Sequence, residues 1–458
     1  MNNDTIAAIS TPLGEGGLAV IRVSGPQAIE LAAKVFSSKN NLKDAPTHTV
    51  HYGHIYNPLN KERMDEVLVT LMREPKSFTT EDVVEISCHG GVIAVRRVLD
   101  LLLQQGIRLA DPGEFTKRAY LNGRIDLSQA EAVIDIIRSK SDRALSIALK
   151  QGEGTLSLRI KQLRHKLVEL MAHIEVNIDY PEHDVEQLTT QFINGHCLSG
   201  IADIEDLLRT ADQGKILREG IVTAIVGRPN VGKSSLLNEL AQENKAIVTD
   251  IPGTTRDVIE EFVTVGGIPL KLLDTAGLRE TIDAVEKIGV EKSRKALSQA
   301  DLILLVLNYN EPIHPDEFIL LEQLKDKQTI IIVNKMDLQR RMDMDVLYAD
   351  YSEDQVVQMS LVDHKGMKDL EEAISAIFFS GKLESNDLTY VSNVRHIDLL
   401  RKAKFSLQEG MKGTQEHVPI DLIQIDIRNA WEELGEIIGD SVGESLLDQI
   451  FSQFCLGK

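Results

Sequence analysis

The sequence predicts a multidomain α/β chain: an α+β domain first, then an α-helical domain into which an α/β domain with a mixed sheet is inserted. Three observations carry this. The 458 residues are about three times a typical single-domain length. Apolar residues recur at helical spacing on both sides of the middle of the chain, over 128–178 and again after Leu383. Between them, from Ile221 to about Phe379, strand-like runs alternate with helix-like ones, the pattern of a parallel sheet with crossover helices. The expected domains are 1–120, a first helical part 121–217, the inserted domain 218–382 and a second helical part 383–458.

In the first domain, Ala19–Val23, Val67–Leu71 and Val83–Ser87 read as strands, and Val92–Gln105 as a helix ended by Gly106. The helical part begins with Ala130, Val133, Ile134 and Ile137 at i, i+3, i+4, i+7, and Leu163, Leu167, Leu170 and Ile174 continue it. Gly152 and Gly154 are candidate breaks, and Ile201–Leu208 is a further helical stretch. The inserted domain offers strands at Ile221–Val226, Leu270–Leu273, Leu302–Leu307, Ile330–Val333 and Gln355–Met359. Phe262–Val265 followed by Gly266-Gly267 is a hairpin signal that adds an antiparallel strand. Leu399–Leu407 and Leu422–Ile438 return the chain to helix.

Composition narrows the function classes. Lys+Arg 50 against Asp+Glu 70 gives a net charge of −20, so the average surface repels phosphate backbones. Aromatics are 4% with one tryptophan, Trp431, too few rings for a base-stacking platform. Any nucleic-acid work needs a local basic patch or a basic partner. Cys88, Cys197 and Cys455 form no CxxC pair, which argues against a cysteine zinc site and for a reducing compartment. With no run of eighteen apolar residues, a soluble cytoplasmic protein with no membrane partner is expected. The last four residues, Cys455-Leu456-Gly457-Lys458, fit a prenylation box badly because of Gly457 and Lys458.

The central domain carries the most specific chemistry. Gly227-Arg228-Pro229-Asn230-Val231-Gly232-Lys233-Ser234 matches G-x-x-x-x-G-K-[ST] between the strand Ile221–Val226 and a helix starting near Ser235. Glycines let backbone N–H groups close around phosphates, Lys233 supplies charge at the β/γ-phosphates, and the Ser234 hydroxyl suits Mg²⁺. Asp274-Thr275-Ala276-Gly277 follows the next apolar strand, where an aspartate can hold Mg²⁺ through water and Gly277 can offer its N–H to the γ-phosphate. Asn334-Lys335-Met336-Asp337 follows Ile330–Val333. The Asp337 carboxylate accepts two hydrogen bonds, as guanine N1–H and its 2-amine require; adenine has no N1 donor and leaves it unpaired. Asn334 can contact the base edge, the Lys335 stem can cover its face, and Ser360 can offer a backbone contact to the base. The order of motifs reads as a P-loop GTPase domain with a Ras-like mixed sheet.

The loop Thr249-Asp250-Ile251-Pro252-Gly253-Thr254-Thr255-Arg256-Asp257 contains threonines able to complete Mg²⁺ coordination, and spacing alone does not choose between Thr254 and Thr255. Leu278 stands where small regulatory GTPases carry a water-orienting glutamine, and leucine cannot do that work. Glu280, Asp283, Glu286 and Glu291 are the carboxylates nearby. Asn230 has two readings, a turn-forming residue or a side-chain oxygen holding a monovalent cation against the β/γ-phosphates.

These segments, with Ile6–Pro12, Arg22–Gly25, Ser77–Asp82, Cys88–Gly91, Pro112–Thr116 and Phe454–Lys458, resemble the MnmE (TrmE) family of tRNA-modifying GTPases over nearly the whole chain. The resemblance implies a folate-binding N-terminal domain that forms a homodimer, a split helical domain and a potassium-stimulated GTPase domain. It matches Mg²⁺ ligands to Ser234 and Thr255, and K⁺ ligands to Asn230, Thr249, Ile251 and Thr254. It matches the water-orienting residue to Glu286, twelve positions after Asp274, and the folate contacts to Arg22, Glu85, Arg124 and Lys458. At position 124 relatives can carry lysine. It further implies an FAD-dependent partner of the MnmG type, tRNA as substrate, 5,10-methylenetetrahydrofolate (or 5-formyltetrahydrofolate as analogue) as one-carbon donor, and a carboxymethylaminomethyl or aminomethyl group installed at C5 of a wobble uridine. The acidic balance fits a partner that supplies most of the tRNA grip. Without it, Arg22, Glu85 and Arg124 read as ordinary paired charges. Adjacent strand positions place Cys88 and His89 on opposite faces, against a nucleophile pair. Cys455, three residues before Lys458, has two readings: a reactive thiol at the one-carbon site or a small hydrophobe packed beside Phe451 and Phe454. Two other functions compete: a ribosome-assembly GTPase switch with no covalent RNA chemistry, and a one-carbon transferase that GTP only regulates.

Overall fold

A computed structural model of the chain describes residues 4–39, 41–179, 186–243, 261–273, 297–379 and 390–458. Its elements follow the expected fold class.

The N-terminal sheet has seven strands: β1 (Ile6–Ile9), β2 (Ala19–Ser24), β3 (Phe36–Ser37), β4 (Thr49–Tyr56), β5 (Arg63–Met72), β6 (Val83–Cys88) and β7 (Arg108–Leu109). They lie in the order β3-β4-β5-β6-β2-β1-β7, antiparallel except for β1 with β7. Strand alternation divides this sheet by chemistry. Ala7, Ile21, Val23, Val84 and Ile86 face a core shared with the Ala28–Val35 and Val92–Gln104 helices. Their neighbours Ile6 and Ala8 join Ala110 and Phe115 in a second, smaller cluster. Arg22 and Glu85 are direct cross-strand partners at the intervening positions of β2 and β6. The Val92 helix ends at Gln104 and Gly106 takes a φ of 96°, as its sequence position suggested.

The helical domain is built from both halves of the chain. Helices Thr155–Asp179, Glu186–Arg209, Val394–Gln415 and Ile420–Ile438 share one core, with Leu163, Leu167, Leu170 and Ile174 meeting Ile204, Leu400, Leu407 and Ile427. The helix Asp142–Gly152 stops at the first candidate break, and Gly154, at φ 89°, separates it from the next helix. Ile201–Leu208 is the end of a single longer helix rather than a separate one.

The inserted sheet contains β8 (Ile221–Val226), β9 (Glu261–Val265), β10 (Ile268–Leu272), β11 (Leu302–Asn308), β12 (Thr329–Asn334) and β13 (Val356–Gln358), ordered β13-β12-β11-β8-β10-β9. All described pairs are parallel except β9–β10, which the Gly266-Gly267 turn joins with Val265 opposite Ile268. Both glycines have positive φ, 57° and 80°, as a two-residue hairpin turn requires. Every residue of β11 and β12 is buried, because apolar clusters cover both faces. No described helix is long and apolar enough to cross a membrane.

Candidate nucleotide and C-terminal sites

β8, β11 and β12 end at one edge of the inserted sheet, and three loops meet there. Gly227 follows β8 at φ 147°, and Gly232 precedes the Lys233–Glu243 helix at φ 112°. A Cβ at Gly227 would collide with the Val306 carbonyl, and one at Gly232 with the Asn334 amide. The loop is thus a cradle that only glycine at these positions leaves open, which fits a polyphosphate. Lys233 Nζ donates to the carbonyls of Gly227 and Arg228, both at 2.7 Å, so it arches over the loop. Burial lowers its pKa from the ordinary lysine value. Ser234 and Ser235, at the helix start, are exposed. Asn230 takes a φ of 65°, so the turn-forming role is real, and its side chain is exposed.

The Asn334–Asp337 loop is tied to this cradle. Asn334, 3% exposed, donates from Nδ2 to the Val231 carbonyl at 2.9 Å and accepts at Oδ1 from the Leu361 N–H at 3.4 Å. Its side chain therefore braces two loops, a role the sequence reading missed. That role requires knowing that the end of β12 abuts the P-loop. Lys335, at φ 69°, donates from Nζ to the Asn230 carbonyl at 2.8 Å, which lays its stem along the space between the loops. Met336 N–H donates to the Met359 carbonyl at 3.1 Å. Asp337 is exposed, and its Oδ1 accepts from Ser360 Oγ at 2.9 Å. Ser360, the residue expected to offer a backbone contact to the base, is 2% exposed, and its N–H donates to the Lys365 carbonyl at 3.1 Å. Thr249, Asp250, Ile251, Pro252, Gly253, Thr254 and Thr255 lie outside the described residues, as do Asp274, Thr275, Ala276, Gly277, Glu280, Asp283, Glu286 and Glu291. Among the described residues no cluster of three or more His, Cys, Asp or Glu could hold a metal ion.

A second site forms where the two ends of the chain meet. Arg22 Nε donates to Glu85 Oε1 at 2.8 Å, and Arg22 Nη1 donates to the Gly457 carbonyl at 3.2 Å. Ser10 Oγ donates to the same carbonyl at 3.1 Å. Gly457, at φ 86°, passes so close to β1 that a Cβ would lie 2.5 Å from the Ile9 carbonyl. Burial lowers the Lys458 pKa, and the neighbouring Arg22 lowers it further, while Glu85 and Cys455 oppose this. The Arg22 guanidinium lies 5.7 Å from the centre of the Phe115 ring, in the small apolar cluster on the second sheet face. Arg124 donates to the Phe78 carbonyl at 2.8 Å and lies 5.0 Å over the Phe78 ring, which packs against that cluster. A pterin–glutamate ligand needs donors, a carboxylate, positive charge and ring surface, and this group fits it.

Burial bears on two cysteine readings. Cys455 is exposed, whereas Phe451 and Phe454 are buried. Cys88 is buried and its thiol is pushed up to about 11, mainly by burial, while His89 is exposed on Asp65, 2.6 Å away. They form no nucleophile pair.

The family model for the MnmE helical domain matches residues 127–455, and that for the GTP-binding protein TrmE N-terminus matches residues 5–124. The chain is 59% identical over 458 residues to a tRNA modification GTPase MnmE of Geobacillus kaustophilus, covering 99% of both. The Geobacillus thermodenitrificans protein of the same name is 58% identical over 458 residues, again with 99% of both covered. The Bacillus subtilis one is 56% identical over 458 residues, covering 99% of this chain and 100% of its own.

Proposed function

Because the chain belongs to the MnmE family of tRNA modification GTPases, we propose that it couples GTP hydrolysis in its inserted domain to one-carbon chemistry on tRNA at the site where its two ends meet. In this reading the P-loop of Gly227–Ser234 holds the phosphates, with Lys233 turning from the Gly227 and Arg228 carbonyls toward them. Asp337 receives guanine N1–H and the 2-amine, and Lys335 covers the base. Asn334 keeps the base loop and phosphate loop in register, which makes base identity and phosphate position one geometric decision. Ser234 and Thr255 serve Mg²⁺. Asn230, with Thr249, Ile251 and Thr254, serves K⁺, and Glu286 orients the attacking water.

Tetrahydrofolate, when bound, supplies the one-carbon unit. Arg22, Arg124 and Lys458 provide positive charge to it and Glu85 the acceptor, while exposed Cys455 stands beside them. A homodimer working with an FAD-dependent partner of the MnmG type then installs the carboxymethylaminomethyl or aminomethyl group at C5 of the wobble uridine.

The observation that carries this reading is the hydrogen bonding of Arg22 and Ser10 to Gly457. A ribosome-assembly switch has no use for a C-terminal Cys-Leu-Gly-Lys segment fixed on the N-terminal sheet. The test is mass spectrometry of tRNA nucleosides from a strain lacking the gene. Loss of a C5-substituted wobble uridine, restored by the intact gene, is the expected result. Unchanged tRNA with defective ribosomal subunits favours the assembly switch instead.

A further inference from the structure

The Leu127–Arg138 helix is gripped from three sides. Asp126 caps it, accepting from the Gln129 N–H while the Gln129 side chain accepts from the Asp126 N–H, so its first turn is fixed. On one side Leu127, Ala130 and Ile134 share a buried cluster with Leu447, Phe451 and Phe454, and Arg138 donates to the Gln453 carbonyl at 2.6 Å. This helix therefore seats the base of the segment that carries Cys455 and Lys458.

The same helix also holds both chain crossings of the inserted domain. On the way in, Asp135 Oδ1 accepts from Arg218 Nε at 2.9 Å. Arg218 is in the last turn of the Ala211–Glu219 helix, and Gly220 alone separates that helix from β8, whose far end opens into the P-loop. On the way out, Glu131 takes Arg395 with both oxygens, at 3.0 and 2.6 Å, and His396 Nε2 at 2.7 Å, in the first turn of the Val394–Gln415 helix.

The two grips differ in kind. Both Glu131 oxygens are hydrogen-bonded, and Arg395 also reaches the Glu436 and Ile437 carbonyls at 2.7 and 3.1 Å. The Asp135 side chain is 10% exposed, yet its Oδ2 has no hydrogen-bond partner. It borders a cavity of about 270 Å³ that also meets Ala144, Ile147, Gly214 and Ser392. A half-satisfied buried carboxylate beside open space is a contact that can rearrange, whereas in the outgoing grip both Glu131 oxygens are bonded and the buried atom left without a partner is His396 Nδ1, on the ring edge away from the carboxylate.

We propose that Asp135 and Arg218 are positioning residues that pass the nucleotide state of the inserted domain to the C-terminal segment, with the Leu127–Arg138 helix as the rigid link. The proposal rests on the functional reading above. It predicts that bound nucleotide alters the setting of Cys455 without touching it.

The test uses Cys455 itself, since Cys88 and Cys197 are buried and Cys455 is exposed. In the full-length chain, its rate of reaction with a small disulfide reagent is measured without nucleotide, with GDP and with a non-hydrolysable GTP analogue, alongside nucleotide affinity. In the unsubstituted chain the rate changes by roughly fivefold or more on adding the analogue, the low end of coupling between linked sites. In Asp135→Asn and Arg218→Gln the change shrinks below about twofold at unaltered nucleotide affinity, as expected when the coupling and not the binding is lost. The exchange Asp135→Arg with Arg218→Asp restores it, which a folding defect would not. Full nucleotide dependence in the single variants overturns the link, as does its absence in an unsubstituted chain that binds the analogue. A chain that binds no GTP analogue at all overturns the functional reading along with the link.

Discussion

Lys233 at a helix start, Asn334 at a strand end and Asp337 in the loop beyond it are polar residues, and each has a partner that fixes it before any ligand arrives. Lys233 and Asp337 were legible in the sequence because their chemistry is set by spacing within one motif. The Asn334 brace to Val231 joins positions 103 apart, and the Arg22 bond to Gly457 joins positions 435 apart. No local pattern encodes such contacts; they follow only from which strand ends and which termini become neighbours. Leu278 in place of a glutamine leaves the attacking water without its usual guide. The proposal gives that work to Glu286. Glu286→Ala is expected to lower kcat for GTP by roughly 10²-fold, the range for losing a positioned base. Nucleotide affinity changes little, because the carboxylate meets the water rather than the ground-state phosphates. Steady-state kinetics with equilibrium nucleotide binding checks this, and normal turnover moves the role to Glu280, Asp283 or Glu291.

Among the elements, β8 has the bounds its apolar run predicts, and the Gly266-Gly267 turn joins the antiparallel pair its hairpin signal predicts. Both are dictated by local periodicity and turn chemistry. The two-residue strands β3 and β7 are too short to leave a pattern and exist only because neighbours pair with them. The Leu127–Arg138 helix was visible as a helix, but not as the carrier of a buried charge cluster. Burial opposes the charged form of Glu131, yet His396 and Arg395 outweigh it and hold the carboxyl at about 2, well below its ordinary value. A depressed folded-state pKa contributes stability above the unfolded value of about 4.3, which is lost as pH falls toward 2. The shift corresponds to about 3 kcal/mol. Denaturant unfolding of the full chain between pH 6 and 3 therefore loses stability more steeply than the same series on Glu131→Gln. Parallel pH profiles count against the cluster.

For the molecule as a whole, the sequence disclosed the order of domains and the split of the helical one, because periodicity changes where the inserted sheet begins and ends. Composition and periodicity did not disclose that the C-terminus crosses back to the N-terminal sheet; only the resemblance, which sets Lys458 with Arg22 and Glu85, implied it. That path is set by Gly113, Gly439 and Gly457, where a Cβ would strike Phe451, Tyr120 and the β1 backbone. The nucleotide chemistry also has a whole-molecule consequence. With Asn230 in the P-loop turn and no glutamine after Gly277, the account requires a monovalent cation where other GTPases receive an arginine. GTP hydrolysis is expected to run faster in potassium than in sodium at matched ionic strength. Equal rates in phosphate-release assays would remove the cation from the mechanism.

The central claim is that one chain runs two separable chemistries, GTP hydrolysis between Gly227 and Asp337 and one-carbon transfer where Cys455 and Lys458 meet Arg22 and Glu85. The Cys455→Ser variant addresses it most directly. Its thiol is exposed at the second site, whereas every phosphate-contacting motif lies in the inserted domain. GTP hydrolysis and wobble-uridine modification are measured in one reaction containing the FAD-dependent partner, tRNA and a methylene-folate. The account predicts hydrolysis close to that of the unsubstituted chain with modification abolished; full modification by the serine variant would contradict it.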